Sequence, residues 1–115
     1  MKLKKFKQPL VVEELVIQVR PDLLERWFEL DHQLWTLNLA KCAGFAGKEI
    51  WVSKEVPGEV TAIIYWNSLE EWKSIDEKWL IAIDQGIFAE LGKENVRLVR
   101  EIHHENQKYK VSEYR

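Results

Sequence analysis

Alternating apolar residues mark the first regular element of the chain. From Val11 to Val19 successive side chains fall on two faces, and most of them are β-branched or aliphatic. This period of two residues predicts a β-strand, in which neighbouring side chains point to opposite sides. Glu13 is the exception, because it falls on a face whose other members are apolar.

The next pattern repeats every three or four residues and predicts a helix. Apolar residues at this spacing run from Leu23 to Leu39, which indicates one long amphipathic helix. Pro21 suits the first turn of a helix, and Asp22 places a negative charge at the positive end of the helix dipole. The glycine-containing segment 43–47 is expected to end this helix.

Two further strands form a predicted hairpin. Residues 48–54 alternate between apolar and polar positions, which predicts a strand. Residues 56–59 have the composition of a turn, and residues 60–66 are predicted to form a second strand that pairs with the first. The returning strand is apolar on both faces. This is typical of a central strand that is covered on both sides.

A capping pattern marks the start of a second helix. Ser68 and Glu71 have the spacing at which a serine hydroxyl and a glutamate satisfy the first amide groups of a helix. We predict a helix from residue 69 to about residue 84 and an interruption at Gly86. A last strand is predicted over residues 95–104.

The order of these elements is β-α-β-β-α-β. It predicts an α+β, ferredoxin-like domain over residues 10–104, with a four-stranded antiparallel sheet and both helices on one face. Residues 1–9 are expected to form a basic arm, and residues 105–115 a polar tail or an exchanged arm. The second face of the sheet also carries apolar residues, and an exposed patch of that kind normally marks an interface. We therefore predict a homodimer that packs through its sheet faces.

Composition and charge narrow the class of function. The 115 residues carry a net charge of -2, which disfavours a nucleic-acid partner. The chain has neither a signal-peptide pattern nor an apolar run long enough to cross a membrane, so we expect a cytoplasmic protein with no membrane association. Cys42, the single cysteine, fits a reducing compartment. His103 and His104 point to opposite faces of a strand, so we predict no metal site.

Two segments resemble a known family. Residues 44–51 (GFAGKEIW) lead from a turn into a strand, and residues 64–72 (IYWNSLEEW) end a strand in Trp66 and begin a Ser-capped, acidic helix. Over about residues 10–104 the chain resembles the antibiotic biosynthesis monooxygenase family of the dimeric α+β barrel superfamily. The resemblance implies a ferredoxin-like subunit, a dimer closed through the sheets, and a pocket between each sheet and its helices.

The resemblance also has implications for the chemistry. Some members oxidise aromatic polyketides with O₂ and without a metal or flavin, which implies that no cofactor is needed here. A haem-degrading branch uses an Asn on the first strand, a Trp that ends the third strand and a His on the following helix. Trp66 matches that tryptophan, but Asp76 stands at the histidine position and residues 11–19 contain no Asn. Haem degradation is therefore disfavoured.

Six tryptophans in so small a domain indicate an aromatic-lined pocket, a large interface or a filled core. A helical wheel places Asp31 and Asn38 between two apolar stripes of the first helix, and Asp76 within the apolar arc of the second. Asp31 and Asp76 are candidate catalytic bases, because desolvation raises the pKa of a carboxyl group. The alternative is that they pair with nearby cations, as buried charges usually do, or are partly exposed. The predicted substrate-binding residues are Trp27, Trp35, Trp66, Trp72 and Asn38.

Two functions are compatible with these features. The first is a monooxygenase-like protein that binds a small hydrophobic or aromatic molecule and oxygenates it without a cofactor after abstracting a proton. The second is a non-catalytic homodimer that binds a small molecule or serves as a scaffold. A solid core of tryptophans with no cavity would rule out the enzyme.

Overall fold

An antiparallel sheet forms the centre of the molecule, as predicted. The computed structural model describes residues 1–115. Its strands are β1 (Lys2–Lys5), β2 (Val11–Val19), β3 (Phe45–Val52), β4 (Glu59–Trp66), β5 (Val96–His104) and β6 (Tyr109–Glu113). Four of them form the main sheet in the order β3-β4-β2-β5, with every neighbouring pair antiparallel. Five of the eight residues of β4 are buried, because this strand lies inside the sheet and is apolar on both faces.

Helices cover one face of this sheet, which confirms the ferredoxin-like α+β prediction. They are α1 (Leu24–Leu30), α2 (Leu37–Leu39), α3 (Leu69–Lys73) and α4 (Glu77–Leu91). Short 3₁₀ turns cover Pro21–Leu23 and Lys93–Asn95. None of the helices combines the length and the apolar character needed to cross a lipid bilayer.

Two separate hydrophobic clusters attach the helices to the sheet. The first cluster joins β2 and β4 to α1 and α4 through Val19, Trp27, Leu30, Val60, Ile87 and Leu91. The second cluster lies towards the other end of β4 and consists of Val11, Leu39, Ile64 and Trp66. Trp35 packs against both clusters. The core is therefore divided into two parts, with one tryptophan in contact with each.

The first helical region is continuous over residues 21–39, but it is not the uniform helix that was predicted. A π-helical segment, Asp31–Thr36, separates α1 from α2. A π-helix closes its hydrogen bonds over five residues instead of four, so the side chains on its two sides are out of phase. Asp31, at the start of this segment, is buried with 6% of its surface exposed.

The second helical region begins as predicted and then breaks. Ser68 caps α3, because its Oγ accepts a hydrogen bond from the backbone amide of Glu71 at 3.1 Å. α3 ends after five residues, and α4 starts as a new helix with Asp76 as its N-cap. A helical wheel drawn through residues 69–84 is therefore not valid beyond residue 73.

The predicted interruption at Gly86 is wrong. α4 passes through this residue and continues to Leu91. A Cβ atom at Gly86 would lie 3.3 Å from Cδ1 of Leu34, which belongs to the π-helical segment. The glycine therefore permits close packing between the two helical regions, and it does not end a helix.

The predicted basic arm and polar tail pair with each other. β1 and β6 form a separate antiparallel ribbon. The Phe6 amide donates a hydrogen bond of 3.0 Å to the Lys108 carbonyl and so extends the ribbon. The Leu10 amide, next to the start of β2, donates one of 2.7 Å to Oε1 of Gln107. All residues of both strands are exposed. The sequence did not predict this pairing, because both ends of the chain are largely polar.

The face of the main sheet that points away from the helices is partly apolar. We call it the outer face and define it by Val16, Trp51, Ile63, Tyr65 and Ile102. Trp51 and Ile102 are 53% and 41% exposed, whereas Val16 and Ile63 are buried among their neighbours. Tyr65 donates a hydrogen bond of 2.6 Å to Glu49 Oε2, and this bond raises the pKa of the phenol.

The turn between β3 and β4 depends on Gly58. This residue has a φ of +79°, and a Cβ atom there would lie 2.0 Å from the carbonyl oxygen of Val19. Gly47 also has a positive φ, but a Cβ there would meet no atom closer than 3.8 Å. A side chain at Gly47 would therefore meet only an unfavourable φ, whereas a side chain at Gly58 would also clash with the backbone.

We expect Gly58→Ala to destabilise the protein more than Gly47→Ala. Gly47→Ala should cost about 1–2 kcal/mol, as expected for an L-residue in the left-handed region. Gly58→Ala should cost clearly more, because backbone atoms must also move. Urea unfolding of the two variants measures the difference, and equal losses would contradict this description of the turn.

Candidate functional site

A cavity of about 420 Å³ lies between the inner face of the sheet and the helices. It is bounded by β2, β3, β4 and β5 on one side and by the helical regions on the other, and 15 of its 21 lining residues are hydrophobic. Small-molecule sites in proteins are typically apolar hollows of about 300–1,000 Å³ with a few polar groups. The helices therefore do not fill the space between the two core clusters.

The four predicted substrate-binding tryptophans all line this cavity. Trp27 and Trp66 are almost completely buried, with 2% and 0% of their surfaces exposed. Trp66 is held in place by Phe45, whose ring packs edge-on at a centroid distance of 5.9 Å. Trp72 lies against the His103 ring at 5.2 Å, and the Lys73 ammonium group is 4.1 Å from its ring centre. Trp35 supplies the fourth wall between the two core clusters.

Asp31 lies in the cavity wall and is also paired with a cation. Nζ of Lys48, on β3, donates a hydrogen bond to Asp31 Oδ2 at 2.7 Å and a second one to Thr36 Oγ1 at 3.0 Å. The side chains of Lys48 and Asp31 are 6% and 9% exposed. The sequence left pairing and a place in the pocket open as alternatives for Asp31, and both occur in the structure.

Asp76 and Asn38 do not lie in the cavity wall. Asp76 is exposed and accepts a hydrogen bond from the Lys78 amide at 3.2 Å as the N-cap of α4. Asn38 donates a hydrogen bond to the Leu34 carbonyl at 2.7 Å. Both residues border a shallow surface depression next to Cys42. The predicted positions are wrong because the first helical region contains a π-helical segment and the second is broken before Asp76.

Glu13 lines the cavity but was not identified as a site residue from the sequence. It belongs to the inner face of β2, and its Oε1 lies 3.4 Å from Nε1 of Trp66, which donates a hydrogen bond to it. Desolvation raises the pKa of this carboxyl above its ordinary value, against the opposing effect of the Trp66 hydrogen bond. The signal was present in the sequence, since Glu13 is the one polar residue on an apolar face of its strand.

The register of the sheet brings Glu13 and Lys48 into one row. Glu13 pairs with Ile64 of β4, and Ile64 pairs on its other side with Lys48 of β3. Adjacent strands are about 4.8 Å apart, so the backbones of Glu13 and Lys48 are separated by two such steps. A molecule that lies over Ile64 can therefore reach a carboxyl group on one side and an ammonium group on the other.

Three further carboxylates line the cavity. They are Glu77 and Asp84, which lie seven positions apart on α4, and Glu101 on β5. Burial raises the pKa of Asp84, while a hydrogen bond with Trp35 lowers it. Glu101 raises the pKa of Glu13 further through charge repulsion. Lys73 and Lys48 lower the pKa of Glu13 through charge attraction, but desolvation is the largest effect and leaves this pKa raised.

Comparison with known proteins gives matches only at the level of structure. No protein-family profile and no curated protein matches the sequence. A candidate antibiotic biosynthesis monooxygenase of Bordetella bronchiseptica is 19% identical, with a TM-score of 0.60 over 84% of this chain and 96% of that one. A similar candidate of Caulobacter crescentus is 12% identical, with a TM-score of 0.64 over 85% and 90%.

A third solved structure has a similar fold. MupZ of Pseudomonas fluorescens is 11% identical, with a TM-score of 0.62 over 89% of this chain and 72% of that one. These likenesses confirm the predicted resemblance as a shared fold. The chain thus has the ferredoxin-like architecture of the antibiotic biosynthesis monooxygenase structures.

Replacing Glu13 by Gln should stabilise the protein at neutral pH and have less effect in acid. Folding raises the pKa of this carboxyl, so the folded state binds the proton more tightly than the unfolded state. Ionised Glu13 therefore lowers stability as pH rises from the unfolded pKa, the ordinary glutamate value of 4.5, through the folded one. Each unit of pKa difference corresponds to about 1.4 kcal/mol. Urea unfolding of both proteins from acidic to neutral pH measures the effect.

Glu49→Gln is the control, because it should change the stability at neutral pH in the opposite direction. Hydrogen bonds from Tyr65 and Trp51 lower the pKa of Glu49, so its carboxylate stabilises the protein above the unfolded pKa and this contribution is lost in acid. Glu49→Gln should therefore destabilise the protein at neutral pH. If Glu13→Gln behaves in the same way as Glu49→Gln, the desolvation of Glu13 is refuted.

Proposed function

We propose that the protein is monooxygenase-like and that its cavity binds a small hydrophobic or aromatic molecule. In this proposal Glu13 takes a proton from the bound molecule, which then reacts with O₂ without a cofactor. The observation that supports it is a cavity of about 420 Å³, walled by four indoles, that contains a carboxyl group with a raised pKa. The shared fold of the solved monooxygenase-type structures is consistent with this function.

The tryptophans account for binding. Flat indole surfaces favour a planar ring, since aromatic pairs gain about 0.5–1.5 kcal/mol beyond the burial of apolar area. Trp35 and Trp72 are half-buried and supply two of these surfaces. Trp27 and Trp66 are almost fully buried and hold the cavity wall in place through the two core clusters. A pocket that is already formed costs little ordering energy when a ligand enters.

Glu13 is better suited to proton abstraction than the two aspartates named above. Asp31 is held by Lys48 at 2.7 Å, and Asp76 is exposed outside the cavity. A general base is most effective when its pKa is close to the working pH, and a raised pKa brings Glu13 nearer to neutrality. Glu13 therefore replaces both as the proposed base.

The proposed reaction balances without a further reductant. Glu13 removes a proton from an acidic CH₂ group, and the resulting carbanion transfers one electron to O₂. The two radicals combine, and protonation gives a hydroperoxide. Loss of water from this hydroperoxide leaves a carbonyl group, so one oxygen atom enters the product and the other leaves as water. The four indoles keep bulk water away from the anion.

The second candidate is a non-catalytic protein that binds a small molecule or acts as a scaffold. It is favoured by the fact that two acids of the cavity, Glu13 and Asp31, already have hydrogen-bond partners, Trp66 for Glu13 and Lys48 for Asp31. The same cavity would then hold a ligand without changing it. Cys42, the single cysteine, fits a cytoplasmic location under either function.

Homodimerisation through the outer face is part of the proposal. The exposed Trp51 and Ile102 supply apolar area that a second copy would cover. Exposed apolar patches of this kind mark interaction sites in soluble proteins.

Trp72→Leu should weaken ligand binding by about tenfold, because one aromatic wall is lost. Trp79→Leu is the matched control, since Trp79 lies outside the cavity beside the shallow depression. Quenching of tryptophan fluorescence by a panel of phenols, quinones and haem measures the affinities. Equal affinities of both variants for every compound would place the ligand elsewhere.

Oxygen uptake in the presence of the bound compounds separates the two candidate functions. Glu13→Gln should abolish uptake while changing affinity little, whereas Asp76→Asn should leave uptake unchanged. Binding without uptake by the unaltered protein would favour the non-catalytic function.

Ile102→Arg should convert the proposed dimer to monomers. Ile81→Arg is the control, because Ile81 is similarly exposed, at 48% against 41%, but lies on α4. Light scattering gives the mass of each variant. A monomeric mass for the unaltered protein at micromolar concentration would refute the dimer.

A further inference from the structure

Lys48 carries the one cationic group in the cavity wall. Its ammonium group has three N–H donors. Two of them are used by Asp31 and Thr36, at 2.7 Å and 3.0 Å. The side chain is 6% exposed, so water has little access to the third donor. The remaining N–H is therefore available to an acceptor inside the cavity.

A purely structural role does not account for this ion pair. Moving two charges out of water costs several kcal/mol for each ion, and replacement of a buried pair by apolar residues is often neutral or stabilising. The surroundings of Lys48 and Asp31 in the cavity are mainly apolar, so packing alone could be achieved without charge. The ion pair borders a cavity of ligand size, so contact with a ligand would give it a functional role.

We propose that Lys48 binds an oxygen atom of the ligand and stabilises the anion formed when Glu13 takes the proton. The ligand class is a phenol or a ketone with an acidic C–H group, whose anion carries its charge on oxygen. This inference rests on the proposed function of the cavity. The proton moves from the ligand to the carboxylate of Glu13, and one negative charge moves from Glu13 to the ligand oxygen beside Lys48. The net charge of the site is unchanged.

The row of residues across the sheet supports this arrangement. Glu13 and Lys48 flank Ile64 on neighbouring strands, so a planar ring above Ile64 has the base at one edge and the ammonium group at the other. Asp31 and Thr36 fix the position of Nζ before the ligand binds. Donors that are oriented in advance stabilise a developing oxyanion more effectively than mobile ones.

The test uses 4-nitrophenol, whose anion is coloured and whose neutral form is not. 4-Nitroanisole, which has no ionisable proton, reports binding alone through fluorescence quenching. The variants are Asp31→Asn, which keeps the ammonium group and removes its counter-charge, and Asp31→Asn/Lys48→Met, which removes both charges together. The double variant avoids leaving a buried carboxylate without a partner.

We expect the pKa of bound 4-nitrophenol to fall in Asp31→Asn and to rise in the double variant, relative to the unaltered protein. The separation between the two variants should be about one to two pKa units, as for an opposite charge within hydrogen-bonding range. The affinity for 4-nitroanisole should differ between the variants by less than the affinity for the nitrophenolate anion.

The outcomes separate this role from the function on which it rests. If the compounds bind but the pKa of bound 4-nitrophenol is the same in all three proteins, Lys48 does not contact the ligand oxygen, and the proposed function is unaffected. If neither compound binds to the unaltered protein, the proposed function and the role of Lys48 both fail. If the double variant does not fold, the fall in pKa with Asp31→Asn still decides the question.

Discussion

The attachment of the helices to the sheet at two separate hydrophobic clusters determines the rest of the structure. Trp27 anchors one cluster and Trp66 the other, and both side chains are almost fully buried. An indole buries about 150–250 Å², so each anchor contributes roughly 4–6 kcal/mol of hydrophobic free energy. Because the anchors are rigid and separated, the helices cannot collapse onto the middle of the sheet. A cavity remains there, and Trp35 contacts the clusters on both sides of it.

This cavity encloses two ionisable side chains, Glu13 and Lys48. Glu13 is removed from water by the cavity walls, and desolvation therefore raises its pKa. The Lys48 side chain is 6% exposed, and its ammonium group donates hydrogen bonds to Asp31 and Thr36. The two groups lie on opposite sides of Ile64 because the register of three strands places them there. A carboxyl group with a raised pKa thus shares one row of the sheet with an ammonium group that is held by two hydrogen bonds.

The sequence was sufficient for the architecture and for most of the cavity wall. Period-two and helical patterns predicted the four main strands and the helical regions, and the four tryptophans predicted to bind substrate line one cavity. The carboxylates were harder to place. A helical wheel assumes unbroken α-helical spacing, and both the π-helical segment Asp31–Thr36 and the break before Asp76 violate it. A strand has a simpler period, so the anomaly at Glu13 was the more reliable signal. The pairing of β1 with β6 involves residues more than 100 positions apart, which no local pattern reveals.

The ionisation of Glu13 is the most direct measure of whether the cavity excludes water from its carboxyl group. Nuclear magnetic resonance of the protein with ¹³C-labelled glutamate side chains follows each carboxyl group through its titration, and the spectrum of Glu13→Gln assigns the resonance. We predict a midpoint for Glu13 above the ordinary glutamate value of 4.5. A midpoint at or below that value would show that water or a cation reaches the carboxylate, and it would contradict the central claim that the cavity desolvates Glu13.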